Sequence, residues 1–213
     1  MTIRNGAIYA YIGLMGSGKT MGMVRTALRQ HRPIWANFDM SGCASYHASG
    51  IHRLRTFEQL ADLREVCILL DELQLNINAR SFANKFNMDF SEFLELRVRK
   101  RGSCFLYTTQ DFDMVDVNVR RLTGRVYHHL HINARGESGA KVTMLIREMG
   151  DNYRVGRRFV MKHSPYFGLF NSFDEDVKLA FGERSSGDGR PKPRQAKPER
   201  GGPAPVESRR SLL

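Results

Sequence analysis

The chain has 213 residues, 41% of them hydrophobic, and a formal net charge of +11. This length allows one α/β domain with a sizeable core. No apolar run approaches the ~20 residues of a membrane-spanning helix, and the first residues lack the apolar stretch of a signal peptide, so we expect neither segment. The charge predicts a polyanionic partner or an acidic surface.

The segment Gly13–Thr20 matches the phosphate-binding pattern G-x-x-x-x-G-K-[ST]. Apolar residues 7–12 predict a strand before it, and the apolar spacing of residues 20–30 predicts a helix after it. In this setting backbone N–H groups converge on an anion, Lys19 reaches the β- and γ-phosphates, and the Thr20 hydroxyl binds Mg²⁺. We therefore predict a nucleotide site formed by Gly13, Gly16, Ser17, Gly18, Lys19, Thr20 and Met21.

The next segments predict short connecting elements. Residues 33–37 are a plausible second strand, and residues 41–50, rich in Gly, Ser and His, predict a loop. Residues 56–63 predict a short helix with Thr56 as its N-cap.

Two acids follow the apolar segment Val66–Leu70, which predicts a buried parallel strand because its apolar residues do not alternate with polar ones. At the end of such a strand, Asp71 can hold the Mg²⁺ shell and Glu72 can orient and polarise the attacking water. The pair therefore favours NTP hydrolysis over phosphoryl transfer to a small acceptor.

A third polar signal follows the predicted strand of residues 103–108, after a predicted helix at 89–99 whose apolar face comprises Phe90, Phe93, Leu94 and Leu96. Parallel strands deliver their carboxyl ends to one crevice, so Gln110 should lie near the phosphate. There its amide can contact the γ-phosphate or the water and report hydrolysis.

Hydrolysis also needs positive charge on the transferring phosphoryl group, often an arginine from a neighbouring subunit. We favour Arg97 or Arg101 over Arg120 or Arg121, and the sequence leaves the choice open. Residues 113–122 predict a short amphipathic helix, whose Asp113 and Asp116 are candidate partners for some of these arginines.

The carboxyl-terminal part predicts antiparallel strands. Residues 126–134 and 141–147 predict a hairpin, and residues 153–161 predict a further strand. The fold class is therefore α/β, a P-loop NTPase with a mainly parallel central sheet flanked by helices and extended by antiparallel C-terminal strands. We assign residues 1–183 to this ATPase domain.

Residues 184–213 hold five of the seven prolines and eight Lys or Arg against three Asp or Glu. This basic, Pro- and Gly-rich composition predicts a disordered tail. It could serve solubility, or it could tether nucleic acid or another anionic surface.

Cysteine and histidine residues give weaker signals. Cys43, Cys67 and Cys104 lack metal-ligand spacing and suggest reduced thiols of a cytosolic protein. The group His128, His129 and His131 lacks a cysteine or paired carboxylates to complete a metal site, so we interpret these as ordinary strand residues.

The motifs together resemble the FtsK–HerA superfamily over roughly residues 5–165. The segments that carry the resemblance are Gly13–Thr20, Leu69–Glu72, Leu96–Gly102, Tyr107–Gln110 and Val115–Arg121. Within it the chain is similar to genome-packaging ATPases of membrane-containing icosahedral viruses and to zonula-occludens-toxin-like assembly proteins of filamentous phages. The resemblance implies that Lys19 and Thr20 bind ATP and Mg²⁺, that Asp71 and Glu72 are the Walker B pair, and that Gln110 is the sensor.

The two groups imply different functions. The filamentous-phage proteins carry a membrane-spanning segment after the ATPase region, and none follows Phe181 here, which favours the packaging type. That type implies a hexameric ring that threads double-stranded DNA into a capsid. We expect it in the host cytoplasm. Association with the virion, and binding to capsid or membrane-vertex proteins, remain open alternatives. The alternatives are an assembly or secretion ATPase acting on protein at a membrane, and a nucleotide-gated DNA or capsid adaptor. No Asn-Lys-x-Asp guanine motif occurs, so ATP is the default nucleotide.

Overall fold

The computed structural model describes residues 3–77, 85–133, 141–148, 154–162, 166, 168–171 and 178–179, and the following statements concern these residues. Within them one sheet contains eight strands, which are β1 (Ile8–Ile12), β2 (Ile34–Ala36), β3 (Ile51–Arg53), β4 (Cys67–Leu70), β5 (Cys104–Thr109), β6 (Arg125–Asn133), β7 (Lys141–Glu148) and β8 (Arg154–Lys162). The α-helices are α1 (Lys19–Leu28), α2 (Lys85–Glu92) and α3 (Val117–Leu122). A π-helix, Phe93–Val98, continues α2, and short 3₁₀ turns cover Ser41–Tyr46, Glu58–Ala61, Leu73–Leu75 and Phe112–Met114.

The strand order is β3-β2-β4-β5-β1-β6-β7-β8. Every pair from β3 to β6 is parallel, and β7 and β8 continue the sheet in antiparallel pairing. The predicted fold class is therefore confirmed. The order places β5 between β1, which leads into the phosphate-binding segment, and β4, which leads into the two acids.

Both faces of the parallel sheet are covered, as the continuous apolar strands require. Alternate residues of β1 enter different cores because successive strand residues point to opposite faces. Tyr9 and Tyr11 pack in the core that contains α1, whereas Ala10 and Ile12 pack in the core that contains the π-helix and α3. The carboxyl ends of β1, β4 and β5 are thereby fixed relative to one another.

Strand β6 has a second role that the predicted hairpin did not include. It pairs with β7 as expected, but it also lies parallel to β1, with Ile12 opposite His128. Strand β3 was not predicted, because three residues of mixed polarity carry no detectable alternation. Its pairing with β2 depends on a neighbour that is distant in sequence.

The predicted helices differ in detail. The segment 56–63 contains one 3₁₀ turn, Glu58–Ala61, capped by Phe57 rather than Thr56. The predicted helix 89–99 begins earlier, at Lys85, and its last turns form the π-helix. Leu96 is 43% exposed rather than buried, because at 100° per residue it lies off the stripe formed by Phe90, Phe93 and Leu94.

No helix within the described ranges is both long enough and apolar enough to cross a bilayer. The predicted tail 184–213 lies outside the described residues.

Candidate nucleotide-binding site

The phosphate-binding loop connects β1 to α1, and its backbone depends on glycine. Gly13 has φ 147° and Gly18, the N-cap of α1, has φ 84°, both in the region that L side chains rarely adopt. A Cβ atom on Gly13 would lie 2.4 Å from the carbonyl oxygen of His129 on β6. The loop can therefore curl only with glycine at these positions.

Lys19 begins α1 and is buried beneath this loop. Its Nζ donates a hydrogen bond to the Leu14 carbonyl oxygen at 3.1 Å, so the ammonium group lies inside the curve of the loop. Burial lowers the pKa of Lys19, and the carboxylates of Glu72 and Asp71 oppose that shift. An anion held by the loop would add a further opposite charge.

The remaining predicted loop residues differ in what they can offer a phosphate. The buried Ser17 Oγ has no hydrogen-bond partner among the described residues, and a phosphate oxygen would supply one. Met21 is buried in the first turn of α1, and its side chain belongs to the core. It can contribute only its backbone N–H.

Asp71 follows β4 and is fixed by polar groups from three neighbouring elements. Its carboxylate accepts hydrogen bonds from Thr20 Oγ1 at 3.0 and 3.1 Å and from Thr108 Oγ1 at 2.5 Å. The Asn37 amide clamps its backbone, accepting from the Asp71 N–H at 2.7 Å and donating to the Asp71 carbonyl oxygen at 3.1 Å. The sheet thus holds this carboxylate against the first turn of α1.

Burial raises the pKa of Asp71. The hydrogen bonds from Thr108 and Thr20 lower it, the Glu72 carboxylate raises it, and the Lys19 ammonium lowers it. Burial is the largest of these effects, so the charged form is held at a cost in the absence of a cation.

Glu72 adopts a left-handed backbone conformation, with φ 50° and ψ 52°, which is uncommon for a residue with a side chain. Its N–H donates to Thr108 Oγ1 at 2.9 Å, so one hydroxyl links the backbone of Glu72 to the carboxylate of Asp71. The Gln74 Nε2 donates a short hydrogen bond to the Glu72 carboxylate. The Gln74 Oε1 is buried and has no hydrogen-bond partner within the described part of the chain.

Gln110 lies beside the phosphate-binding loop. In the parallel register Thr109 of β5 stands opposite Ile12 of β1, so Gln110 follows its strand at the level of Gly13. The Thr109 Oγ1 donates to the Asp111 carbonyl oxygen at 2.8 Å and closes the turn around Gln110. The amide is exposed at the sheet edge that carries Asp71 and Glu72.

The side chains fit a bound ATP–Mg²⁺ complex. The loop leads into the amino end of α1 and offers a buried ammonium and an unpartnered hydroxyl, which suit phosphate oxygens. Mg²⁺ binds one or two carboxylates together with substrate phosphates, and here Thr20 Oγ1 and the Asp71 carboxylate are adjacent. These two residues would hold the ion.

The candidate arginines lie away from this edge. Arg101 precedes β5, whereas Gln110 follows it, so about 20 Å of strand separates them. The Arg101 Nη1 donates to the carbonyl oxygens of Leu60 and Leu63 at 3.1 and 3.5 Å. Arg97 is exposed on the π-helix one turn earlier. This placement favours contact with the phosphates of a neighbouring subunit over contact with those of the same subunit.

The second pair of arginines is on α3. Arg120 forms an ion pair with Asp113 at 2.5 Å, which is one of the pairings expected from the sequence. Asp116 instead caps α3, accepting from the Asn118 N–H at 2.8 Å. Arg121 is exposed.

His129 belongs to the packing of the sheet. It is 3% exposed, and its ring lies 5.8 Å from the Tyr11 ring. The β6–β7 register shifts between His129 and His131, which interrupts the regular pairing of the two strands. Within the described residues no three His, Cys, Asp or Glu side chains are grouped to hold a metal ion.

Three residues of the site were not predicted: Asn37, Thr108 and Gln74. Asn37 and Thr108 occupy the carboxyl ends of β2 and β5, where any polar side chain is a candidate, and this positional signal could have identified them. Gln74 lies two residues after Glu72, and nothing local distinguishes it.

The strand order, the glycine-dependent loop and the two acids define a P-loop NTPase. No family model matches the chain, and no curated protein does either. Solved structures do match. The N-terminal domain of zonular occludens toxin from Neisseria meningitidis is 17% identical, with a TM-score of 0.46 over 80% of this chain and 96% of that one.

The genome packaging NTPase of Sulfolobus turreted icosahedral virus 2, in complex with ATP-gammaS, is 11% identical, with a TM-score of 0.47 over 75% of this chain and 98% of that one. The flagellar accessory protein FlaH from Methanocaldococcus jannaschii is 11% identical, with a TM-score of 0.48 over 75% and 86%. Both groups that the sequence motifs resemble are represented among these structures.

Proposed function

We propose that this chain is an ATP-hydrolysing motor that moves double-stranded DNA, working as a homo-oligomeric, hexameric ring that packages a viral genome into a preformed capsid. The observation that carries the hydrolysis is the meeting of Lys19, Thr20, Asp71, Glu72 and Gln110 at one edge of the sheet. A site that only held a phosphate would not need Glu72 and Gln110.

In the proposed reaction the loop N–H groups and Lys19 hold the β- and γ-phosphates, and Thr20 and Asp71 hold Mg²⁺. Bound there by Thr20 and Asp71, the ion would supply positive charge to the phosphate oxygens. Glu72 orients a water molecule, which attacks the γ-phosphorus and passes its proton to the carboxylate as the bond to the ADP oxygen breaks. Gln110 contacts the γ-phosphate or the water, so its position depends on whether the γ-phosphate is present.

The assignment of DNA as the cargo rests on two supports. The net charge of +11 favours a polyanionic partner. The motifs resemble those of genome-packaging ATPases, and in this chain the Arg- and Lys-rich segment 96–102 leads to β5, which Gln110 follows.

Replacing Glu72 with Gln tests the hydrolytic role. We expect Glu72→Gln to lower the ATPase rate by about 10²–10⁴ while ATP affinity is retained, because only the proton acceptor is lost. Lys19→Ala should abolish ATP binding. Glu95→Gln, an exposed acid on the π-helix, is the matched control. Full turnover of Glu72→Gln would remove Glu72 from the mechanism.

The effect of duplex DNA on the ATPase rate, measured with Mg²⁺, tests the cargo. Stimulation by DNA, with a nucleotide-dependent increase in particle size, supports the motor. Turnover that is indifferent to DNA favours an ATPase that acts on protein. Negligible turnover in the presence of DNA favours a nucleotide-gated adaptor.

A further inference from the structure

Charged residues in the described loops are sorted between the two edges of the sheet. The loops at the carboxyl edge, where the strands deliver the nucleotide site, carry mainly acids: Asp39, Asp71, Glu72, Asp111, Asp113 and Asp116. Among the described residues of this edge, the basic ones are Lys19, Arg55 and Lys178, whose neighbour Leu179 donates to Asn76 Oδ1 at 2.8 Å. A DNA backbone would meet repulsion at this edge.

The described loops at the opposite, amino edge are rich in basic residues, and within these described loops the acids are Asp62 and Glu65. We define the amino-edge cluster as Arg4, Arg32, Arg64, Arg99, Lys100 and Arg101. Four of them, Arg4, Arg64, Arg99 and Lys100, are exposed.

Backbone and side-chain contacts bring the segments of this cluster together. The Arg32 Nη1 donates to the Gly102 carbonyl oxygen at 2.8 Å, and its Nη2 donates to Asn5 Oδ1 at 2.7 Å. The Glu65 N–H donates to the Arg101 carbonyl oxygen at 2.9 Å. Arg99 packs so closely on Gly6 that a Cβ atom there would lie 2.7 Å from the Arg99 Cβ. The cluster is one continuous surface built from four loops.

Like charges in this surface act on one another. Burial lowers the pKa of Arg101, and the guanidinium groups of Arg97 and Arg64 lower it further, with Asp62 opposing them. Such repulsion is unfavourable in the isolated chain, and an anion bound across the cluster would relieve it.

We propose that the amino-edge cluster is the surface on which the phosphate backbone of double-stranded DNA lies, on the opposite edge of the sheet from ATP. This rests on the proposed function. Duplex DNA carries one negative charge per about 1.7 Å of its axis, so several spaced cations can bind it at once. Arginine, which forms most of the cluster, pairs with phosphate through two N–H groups. Contacts to the backbone carry no sequence information, as a motor on DNA requires.

The test uses two variants of the full chain that change the net charge equally. Arg64→Glu with Lys100→Glu reverses two exposed residues of the cluster. Arg55→Glu with Lys178→Glu reverses two exposed residues elsewhere and is the matched control. Affinity for a fluorescent 30-base-pair duplex is measured by anisotropy over a series of salt concentrations, with thermal unfolding as the check that each variant is folded.

We expect the cluster variant to bind the duplex about tenfold or more weakly at 0.1 M salt, and its slope of log K against log salt to fall by about one to two. The control should change less than about threefold. If the glutamate pair does not fold, Arg64→Ala with Lys100→Ala should give a smaller loss in the same direction.

Unchanged affinity of the cluster variant, with DNA binding by the unmodified chain, would overturn the assigned surface and leave the proposed function standing. Equal losses in both variants would also overturn it, because net charge alone would then explain binding. No DNA binding by the unmodified chain would overturn both proposals. Loss of binding to anionic vesicles with DNA affinity retained would assign the surface to a membrane instead.

Discussion

The Asp71 carboxylate is buried between Thr20 and Thr108, and its raised pKa has a consequence for stability. Because the folded-state pKa lies above the unfolded value of about 3.9, ionising Asp71 costs folding free energy. That cost is absent below the unfolded pKa, grows as pH rises through the folded pKa, and stays constant above it.

We therefore expect Asp71→Asn to be more stable than the unmodified chain at pH 7 without Mg²⁺, although it should lose ATPase activity. The difference in unfolding free energy should shrink as the pH is lowered toward 4. Urea unfolding at several pH values measures it, with the exposed Asp62→Asn as control. A variant less stable at pH 7 would show that the hydrogen bonds outweigh burial.

We propose Gln74 as a positioning residue, because its amide donates a hydrogen bond to the Glu72 carboxylate. We expect Gln74→Met to lower kcat about tenfold with little change in the KM for ATP, because Glu72 would lose the donor that orients it. Gln74→Glu places a second carboxylate there and should lower kcat further. Steady-state kinetics of both variants decide the point. Unchanged kcat in both would leave Gln74 a purely structural residue.

Individual site residues can be predicted from the sequence where they belong to a short contiguous motif. Lys19, Thr20, Asp71 and Glu72 lie in contiguous motifs, and the structure brings them together. Asn37 and Thr108 reach Asp71 across the sheet from β2 and β5, at sequence separations of 34 and 37 residues. Only the pairing of strands brings such residues into contact.

Helix α1 carries Lys19, the proposed phosphate-binding residue, and it approaches β6 closely at Gly22. A Cβ atom on Gly22 would lie 2.5 Å from the buried His129 Cε1 and 3.3 Å from Tyr11 Cδ1. Any side chain here must displace the helix or the ring.

We expect Gly22→Ala to lower the unfolding free energy by about 1–2 kcal/mol despite the better helix propensity of alanine, and to weaken ATP binding. In Gly124→Ala the nearest atom to the new Cβ is the Ile8 carbonyl oxygen at 3.9 Å, so this control should be tolerated. Thermal unfolding and nucleotide titration compare the two. A stabilised Gly22→Ala chain would contradict tight packing of α1.

Elements were predictable where their pattern is local. The strands β1, β4 and β5 are apolar runs followed by polar residues, and each prediction agreed with the structure to within one residue. The parallel pairing of β6 with β1, the short strand β3 and the π-helix were not predicted. Pairing depends on partners remote in the chain, and helix periodicity alone does not distinguish π from α turns.

For the whole molecule, the place of Arg97 one helical turn before Arg101 favours contact with a γ-phosphate of a neighbouring subunit. In a head-to-tail ring, a subunit lacking Lys19 can still lend its Arg97 to the next site. We expect Lys19→Ala and Arg97→Ala chains to be inactive separately and their mixture to recover up to about a quarter of the activity.

The mixing experiment needs a size measurement to establish that the two variants assemble together. Lys19→Ala mixed with Glu72→Gln is a second mixture for comparison, with Arg97 intact in both subunits. Failure of Lys19→Ala and Arg97→Ala to recover in mixed assemblies would remove Arg97 as the arginine supplied in trans. The choice would then pass to Arg101, Arg120 or Arg121.

Strand β5 has Gln110, the proposed γ-phosphate contact, at one end and Arg101 of the amino-edge cluster near the other. Hydrogen bonds to β1 on one side and β4 on the other make it nearly inextensible. A shift of its carboxyl end on release of phosphate therefore cannot be absorbed by stretching along its length. The displacement would appear at the other end as translation or tilt, and strand β5 would thereby couple the proposed phosphate site to the proposed DNA surface.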